Sequence, residues 1–353
     1  MNEPWTIDKL LVPLQTSQLP RLPKPTFSPK DDSRRRIMLA VESMRRHMTN
    51  EGFEIAQGLE SAGYDLVGHR LTFDHTDVRR IYQSLKPGTV VVQDKREWDV
   101  QPGDFREHEA RFHHVSCLAY QPEVFRLTIL KDAHQRPEYH RESADEIDCH
   151  AWVVYYHPRI VSYMATYVRP EHLVRTYHSV DSDLVPAYSP NRHQQCLLSG
   201  AVSSAYPLRL LIVRNLANCP EITYLSHPGY HRNGCATPQF LQNLSHFKVA
   251  ICTASMYGYA LRKIIEATAC GCRVLTDLPV DEVLPEIDGN LFRIRPDTSA
   301  YHVQIYVHQL IKEYDADKQR DYAEKAKNWY DYKAVGKRLS DDIESLRRNY
   351  NGR

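Results

Sequence analysis

From Arg36 onward, short apolar runs bounded by turn residues alternate with stretches whose apolar residues recur at helical spacing, and the pattern occurs twice along the chain. A strand of a parallel sheet is covered on both faces, so it reads as an unbroken apolar run, and its return to the sheet needs a crossover that is usually a helix. The alternation therefore restricts the chain to an α/β fold with parallel sheets. In the first half, residues 37–41, 65–71, 89–93, 124–131, 151–157 and 173–178 are predicted strands. Residues 51–62 form the first predicted helix, with Ile55, Leu59 and Ala62 on one stripe, Asn50 as N-cap and Gly63 as stop. Residues 141–147 and 159–164 supply further helical pieces.

Around 180–192 the pattern dissolves into Asp, Ser, Pro and Asn, which marks a domain boundary. A second set follows: strand 196–202, helix 207–216 opened by Pro207, strands 221–225 and 248–253, helix 259–269, and strands 273–276 and 291–294. Helices are predicted over 302–314, 317–329 and 334–349. A chain of 353 residues exceeds the size at which one core stops growing. The expected organisation is an extended, proline-rich arm over 1–33, one Rossmann-like domain over 34–185 and a second over 186–330. A C-terminal helix, 331–353, is expected to pack back on the first domain. Two doubly wound domains facing a cleft place ligands at the carboxyl ends of their strands.

Lys and Arg total 45 against 44 Asp and Glu, a balance that argues against a dedicated nucleic-acid binder relying on a broad basic surface and leaves room for a local basic patch. The eight cysteines include no CxxC pair and fall in apolar runs, which fits reduced thiols in a cytoplasmic protein. No long apolar run supplies a membrane span.

The segment 255–277, SMYGYALRKIIEATACGCRVLTD, carries the most chemical information. Leu261, Ile264, Ile265 and Thr268 face one way, while Arg262, Glu266 and Ala269 form another stripe. Gly258 and Tyr259 stand at the start of this predicted helix, where backbone N–H groups and the dipole favour a phosphate. Arg262 lies one turn in, placed for a charge-assisted bond to that phosphate, and Glu266 one turn further, placed to accept ribose hydroxyls. A plain amphipathic helix with an i, i+4 ion pair and a Gly271 C-cap fits the same residues.

The wording from Arg262 to Asp277 resembles the donor-binding motif of the retaining group-1 glycosyltransferases, family four and its CgeB-like branch. Gly258 stands where many of these carry a first glutamate, as in the arginine-containing variant of the motif. The resemblance implies the GT-B fold, a UDP-sugar or other nucleotide-sugar donor as co-substrate with no separate cofactor, and Glu266 as the ribose carboxylate. A second segment, 196–209, is similar to the first strand of the GT-B C-terminal domain, whose glycine loop (Gly200) and following basic residue (Arg209) approach the diphosphate. His227 and His231, after the next strand, line the base pocket or simply form a turn.

In the first half, the segment 127–135, LTILKDAHQ, reads as a buried strand that ends in Asp132 and His134. They resemble the strand-end element of GT-B enzymes that points toward the transferred sugar, and His157 is the alternative one strand later. Arg45, Arg46 and His47 make the first loop basic, which suits an anionic acceptor or a solvated surface. Asp181 and Asp183 mimic a metal-binding DxD but fall in the predicted linker, so no metal ligand is assigned.

The implied activity is transfer of a sugar to an acceptor hydroxyl on a glycan, small molecule or modified DNA base, with retention and without a metal. Three alternatives stay distinct. They are a phage-type DNA-base glycosyltransferase using Arg34–Arg36, Arg45–Arg46 and Arg79–Arg80, a nucleotide-sugar epimerase or hydrolase, and a non-catalytic nucleotide-sugar-binding module.

Overall fold

The computed structural model describes residues 4–11, 36–39, 51–67, 85–94, 123–134, 140–141, 144–145, 147–227 and 237–350. The described chain opens with a short helix, α1 (Ile7–Leu11). It continues through β1 (Arg36–Leu39), α2 (Glu51–Ser61), β2 (Asp65–Val67), β3 (Val90–Gln93), β4 (Phe125–Leu130), β5 (Ala151–Val154), α3 (Pro158–Met164) and β6 (Leu173–Arg175). These six strands form a parallel sheet in the order β2-β1-β3-β4-β5-β6. Every residue of β3, β4 and β5 is buried, as the unbroken apolar runs require. Helix α2 buries Ile55 and Leu59 and stops at Gly63, whose φ of +94° only glycine adopts without strain.

The second set comprises β7 (His193–Gly200), α4 (Pro207–Asn215), β8 (Ile222–Ser226), α5 (Thr237–Leu244), β9 (Phe247–Ile251), α6 (Arg262–Ala269), β10 (Arg273–Thr276) and β11 (Leu291–Arg293). Its five strands are also parallel, in the order β11-β10-β9-β7-β8. Helices α7 (Ala300–Lys312), α8 (Ala316–Tyr330) and α9 (Tyr332–Asn349) complete the chain. The core of this set joins Leu198, Val249 and Ile251 of the sheet to Leu208 and Ile212 of α4 and Val303 and Val307 of α7. Each such aliphatic side chain contributes about 1.5–3 kcal/mol by leaving water.

Two compact units result, one holding α1 and the stretch from His178 to Tyr332, the other holding β1 to β6 and the chain from Lys333 onward. The break between the two sets is a 3₁₀ turn, Ser182–Leu184. Asp181 caps that turn by accepting the Asp183 N–H at 3.0 Å, a structural use for the first of the two aspartates.

Three local features differ from the sequence-based expectations. Within the predicted arm, Ile7–Leu11 is helical: Ile7 is fully buried, its N–H donates to Asp281 Oδ1 at 2.8 Å, and Val280 N–H donates to the Trp5 carbonyl. Burial of one isoleucine and two long-range bonds hold this piece, which no local signal specifies. Helix α5 follows a run of turn residues and has only Leu241 and Leu244 as a buried aliphatic stripe, too short a period to recognise. Helix α6 starts at Arg262 rather than near Tyr259, because Gly258 has φ +67° and Leu261 is extended and caps nothing with its side chain.

Helix α9 belongs to the unit of the six-stranded sheet. Gly336 lies so close to the backbone of Gly58 on α2 that any added Cβ would overlap the Gly58 carbonyl. Further along α9, Glu344 pairs with Arg36 of β1 and with Arg347. Tyr350, just beyond, packs against the rings of Phe125, His150 and His172 at 5.4, 5.6 and 4.9 Å.

Gly336→Ala should destabilise this unit by roughly 1–3 kcal/mol through overpacking, despite the better helix propensity of alanine. Urea unfolding followed by circular dichroism measures it, and a variant as stable as the wild type would show that the two helices separate without cost.

Candidate functional site

In the five-stranded sheet the strand order reverses between β7 and β9, and their carboxyl ends open the crevice where ligands of such sheets sit. Strand β7 ends at Gly200, with φ +114°. The chain turns and enters α4 at Pro207, a residue preset for the first helical turn. This puts Arg209 within the first turn of α4, pointing back at the strand end. Its Nη1 donates to the Ala201 carbonyl and its Nη2 to Thr253 Oγ1, both at 2.8 Å, and its guanidinium lies 4.1 Å over the Tyr206 ring. Arg209 is only 3% exposed, yet its Nε has no hydrogen-bond partner.

A second cation arrives from α6. A Cβ on Gly200 would collide with Lys263 Nζ and lie 2.6 Å from Arg209 Nη1, so the two side chains converge on this glycine. Among the described residues the Lys263 ammonium has no hydrogen bond or ion pair; its nearest ring is Phe240, 5.6 Å from Nζ. Burial, and then the Arg209 charge, push Lys263 down to about 8. Two like charges held together without a bonded carboxylate cost energy unless an anion joins them.

Asp277, directly after β10, lies on the same edge and is buried; its Oδ1 accepts the Ala254 N–H at 2.6 Å, tying the loop after β9 to that after β10. Burial raises its carboxyl to about 7 despite the two backbone N–H groups and Arg209. On α6, Arg262 Nε donates to Glu266 Oε1 at 2.8 Å, and both side chains are buried.

The expected donor residues are thus partly redistributed. Gly200 and Arg209 share one corner. Gly258 stands four residues ahead of α6, where its N–H donates to the Ser255 carbonyl, and is not at the helix N-terminus. Tyr259 is buried beside Tyr257. Arg262 is the first residue of α6 rather than one turn in, and it holds Glu266. Lys263 is the residue that sequence reasoning passes over. With the helix begun near Tyr259 it falls off the Arg262–Glu266 stripe, whereas the true start at Arg262 puts it in the first turn facing Gly200.

In the other unit, Asp132 and His134 follow the end of β4. Asp132 Oδ1 accepts from Tyr156 Oη at 3.2 Å. Lys131, beside them, pairs at 2.8 Å with Asp94, which follows β3 and is fully buried. Burial, then the charge of His140, pushes His134 down to about 4; burial, then Lys131, does the same to His140. Both imidazoles are therefore neutral at ordinary pH. His157 is a helix cap: its Nδ1 accepts the Arg159 N–H at 3.3 Å. Arg45, Arg46 and His47 lie outside the described residues.

Asp277 yields a pH test. A carboxyl raised in the folded state stabilises it at low pH, and that contribution is lost as pH rises from the unfolded value, near 4, through 7. Relative to Asp277→Asn, the wild type should lose stability across this window by up to a few kcal/mol, at about 1.4 kcal/mol per pKa unit. Urea titrations at pH 4.5, 6 and 8 measure the difference, and parallel profiles would remove the buried-acid assignment.

No family model and no curated protein matches the chain. Solved structures match by fold. Anabaena HepE, solved in complex with UDP, aligns over 88% of this chain and 100% of its own at TM-score 0.55 and 10% identity. Sucrose-phosphate synthase from Thermosynechococcus elongatus aligns over 90% and 100% at TM-score 0.56 and 10% identity. An alpha-glucosyltransferase in complex with UDP-glucose and DNA containing an abasic site aligns over 88% and 99% at TM-score 0.56 and 9% identity. At such identities the likeness is one of fold. Two parallel α/β units and a C-terminal helix, matched over nearly the full length of these structures, give the chain the GT-B fold.

Proposed function

We propose that the chain is a glycosyltransferase that moves a sugar from a nucleotide-diphosphate donor to an acceptor hydroxyl. The observation that carries this is the Arg209–Lys263 pair converging on Gly200 at the carboxyl end of β7. Two cations without a bonded carboxylate, beside a glycine that leaves room for close approach, match the charge of a diphosphate. UDP is the preferred nucleotide, supported by the UDP and UDP-glucose complexes of HepE, a protein of the same fold. Glu266 is the proposed ribose acceptor, with Arg262 orienting its carboxylate. Asp132 and His134 stay as the candidate sugar-facing groups, with His134 acting as a neutral imidazole.

In the proposed reaction the bond from the anomeric carbon to the β-phosphate oxygen breaks, and its electron pair leaves with the phosphate. The acceptor oxygen forms the new bond, and its proton passes to a phosphate oxygen on the same face. Arg209 and Lys263 stabilise the departing charge, the part a divalent metal plays in other sites, so no metal is required. Retention rests on the resemblance of residues 262–277 to the group-1 motif. A DNA acceptor is the weaker option: 45 Lys and Arg are balanced by 44 Asp and Glu, and Arg36 is paired with Glu344.

A thermal-shift panel of UDP-, GDP-, ADP- and dTDP-glucose tests the donor, and at least one should raise the melting temperature of the wild type. If none does, the proposal fails. Glu266→Ala should lose that response, and an unchanged response would refute the ribose assignment. Lys263→Met should weaken donor binding by ~10–100-fold, the loss of one charge-assisted hydrogen bond, with no fall in the stability of the free protein, since a like-charge contact is relieved. Wild-type affinity should also decline as pH rises above about 8, where Lys263 loses its proton, and Lys263→Met should not show this decline. Titration calorimetry from pH 7 to 9 measures both.

A further inference from the structure

The proposed diphosphate site has a neighbour that the motif does not include. Strands β7 and β8 pair in parallel with Gly200 opposite Ser226, so His227, the next residue, stands at the same edge as the glycine on which Arg209 and Lys263 converge. Tyr224 Oη donates to the Gly200 carbonyl at 3.0 Å and fixes the two strand ends together. We propose that His227 is a third ligand of the diphosphate, binding it as an imidazolium beside Arg209 and Lys263. The proposal rests on the donor assignment above.

The electrostatics of the free site favour a neutral ring. His227 is half-buried, and burial, then Lys263 of α6, then Arg209 of α4 all disfavour its charged form. The nearby carboxylates Glu266 and Asp277 act on Lys263 and Arg209, respectively, and neither acts appreciably on His227. An incoming diphosphate cancels the two repelling charges and adds an attractive one, so the same ring takes one proton from solvent and donates a hydrogen bond to a phosphate oxygen. The released nucleoside diphosphate, once its own proton is lost, carries one more negative charge than the nucleotide sugar. His227 therefore favours the product side of the transfer, where the leaving phosphate gains charge.

Isothermal titration of UDP and of UDP-glucose into the whole protein tests this. It is run at pH 6.8, where Lys263 is protonated, in two buffers of different ionisation heat, with the wild type, His227→Gln and His227→Lys. The wild type should take up a larger fraction of a proton per UDP than His227→Gln. His227→Gln should bind UDP ~10-fold more weakly, the loss of one charged hydrogen bond, and should lose less affinity for UDP-glucose. His227→Lys should restore UDP affinity without the extra proton uptake. Equal affinity and equal proton uptake in wild type and His227→Gln overturn the proposal while leaving the donor site intact. A weakened His227→Gln with unchanged uptake overturns it as well, since the ring then acts neutral. Failure of the wild type to bind either nucleotide overturns the donor assignment and this proposal together.

Discussion

A parallel sheet ends every strand at the same edge, and the candidate site residues of each unit gather at that edge. In the five-stranded sheet this brings Gly200 of β7, Thr253 beyond β9 and Asp277 beyond β10 within reach of one another, although they are far apart in the chain. In the six-stranded sheet it aligns Asp94, Asp132 and His157 at the ends of β3, β4 and β5. The helices that cover each sheet then begin at the same edge, because each crossover starts where its strand stops. Arg209 and Lys263 occupy the first turns of two such helices, and the sheet order together with the start of α6 makes them neighbours.

Their convergence is an electrostatic liability that the fold supports from behind. Arg209 is fastened by a carbonyl, a hydroxyl and a tyrosine face, none of which carries a compensating charge. Lys263 is carried by α6, which buries Ile264, Ile265, Ala267 and Ala269 and is followed by Gly271 with φ +81°. A side chain at Gly271 would meet the Tyr188 ring and the Arg192 guanidinium, so this close approach also requires glycine. Such an underneutralised corner is suited to an anion.

Much of this was legible in the residues. The period of apolar runs located nearly every strand, Pro207 marked the start of α4, and Gly63 and Gly271 took the positive φ expected of helix ends. The differences have separate local causes. The pattern places the start of α6 too early because Tyr259, Ala260 and Leu261 continue the apolar run, while the backbone is left-handed at Gly258 and extended at Leu261. That shift hid Lys263 and turned Arg262, expected at the phosphate, into the partner of Glu266. His157, the alternative sugar-facing residue beyond β5, accepts the Arg159 N–H with its Nδ1 at the start of α3. Helix α1 carries no periodic signal, since five residues are too few to show one.

Local order, then, was written in the chain: where strands run, where helices stop and which glycines need left-handed backbone. These depend on period, propensity and φ/ψ sterics, which act over a few residues. Which charged groups meet was settled only by the tertiary structure. Arg209, Lys263 and His227 come from three different elements, and their proximity follows from strand order, from the register of β7 on β8 and from a helix start that side-chain pattern does not report. The buried state of Asp277 and of the Arg262–Glu266 pair belongs to the same class, because burial is a property of what packs above a residue rather than of the residue itself.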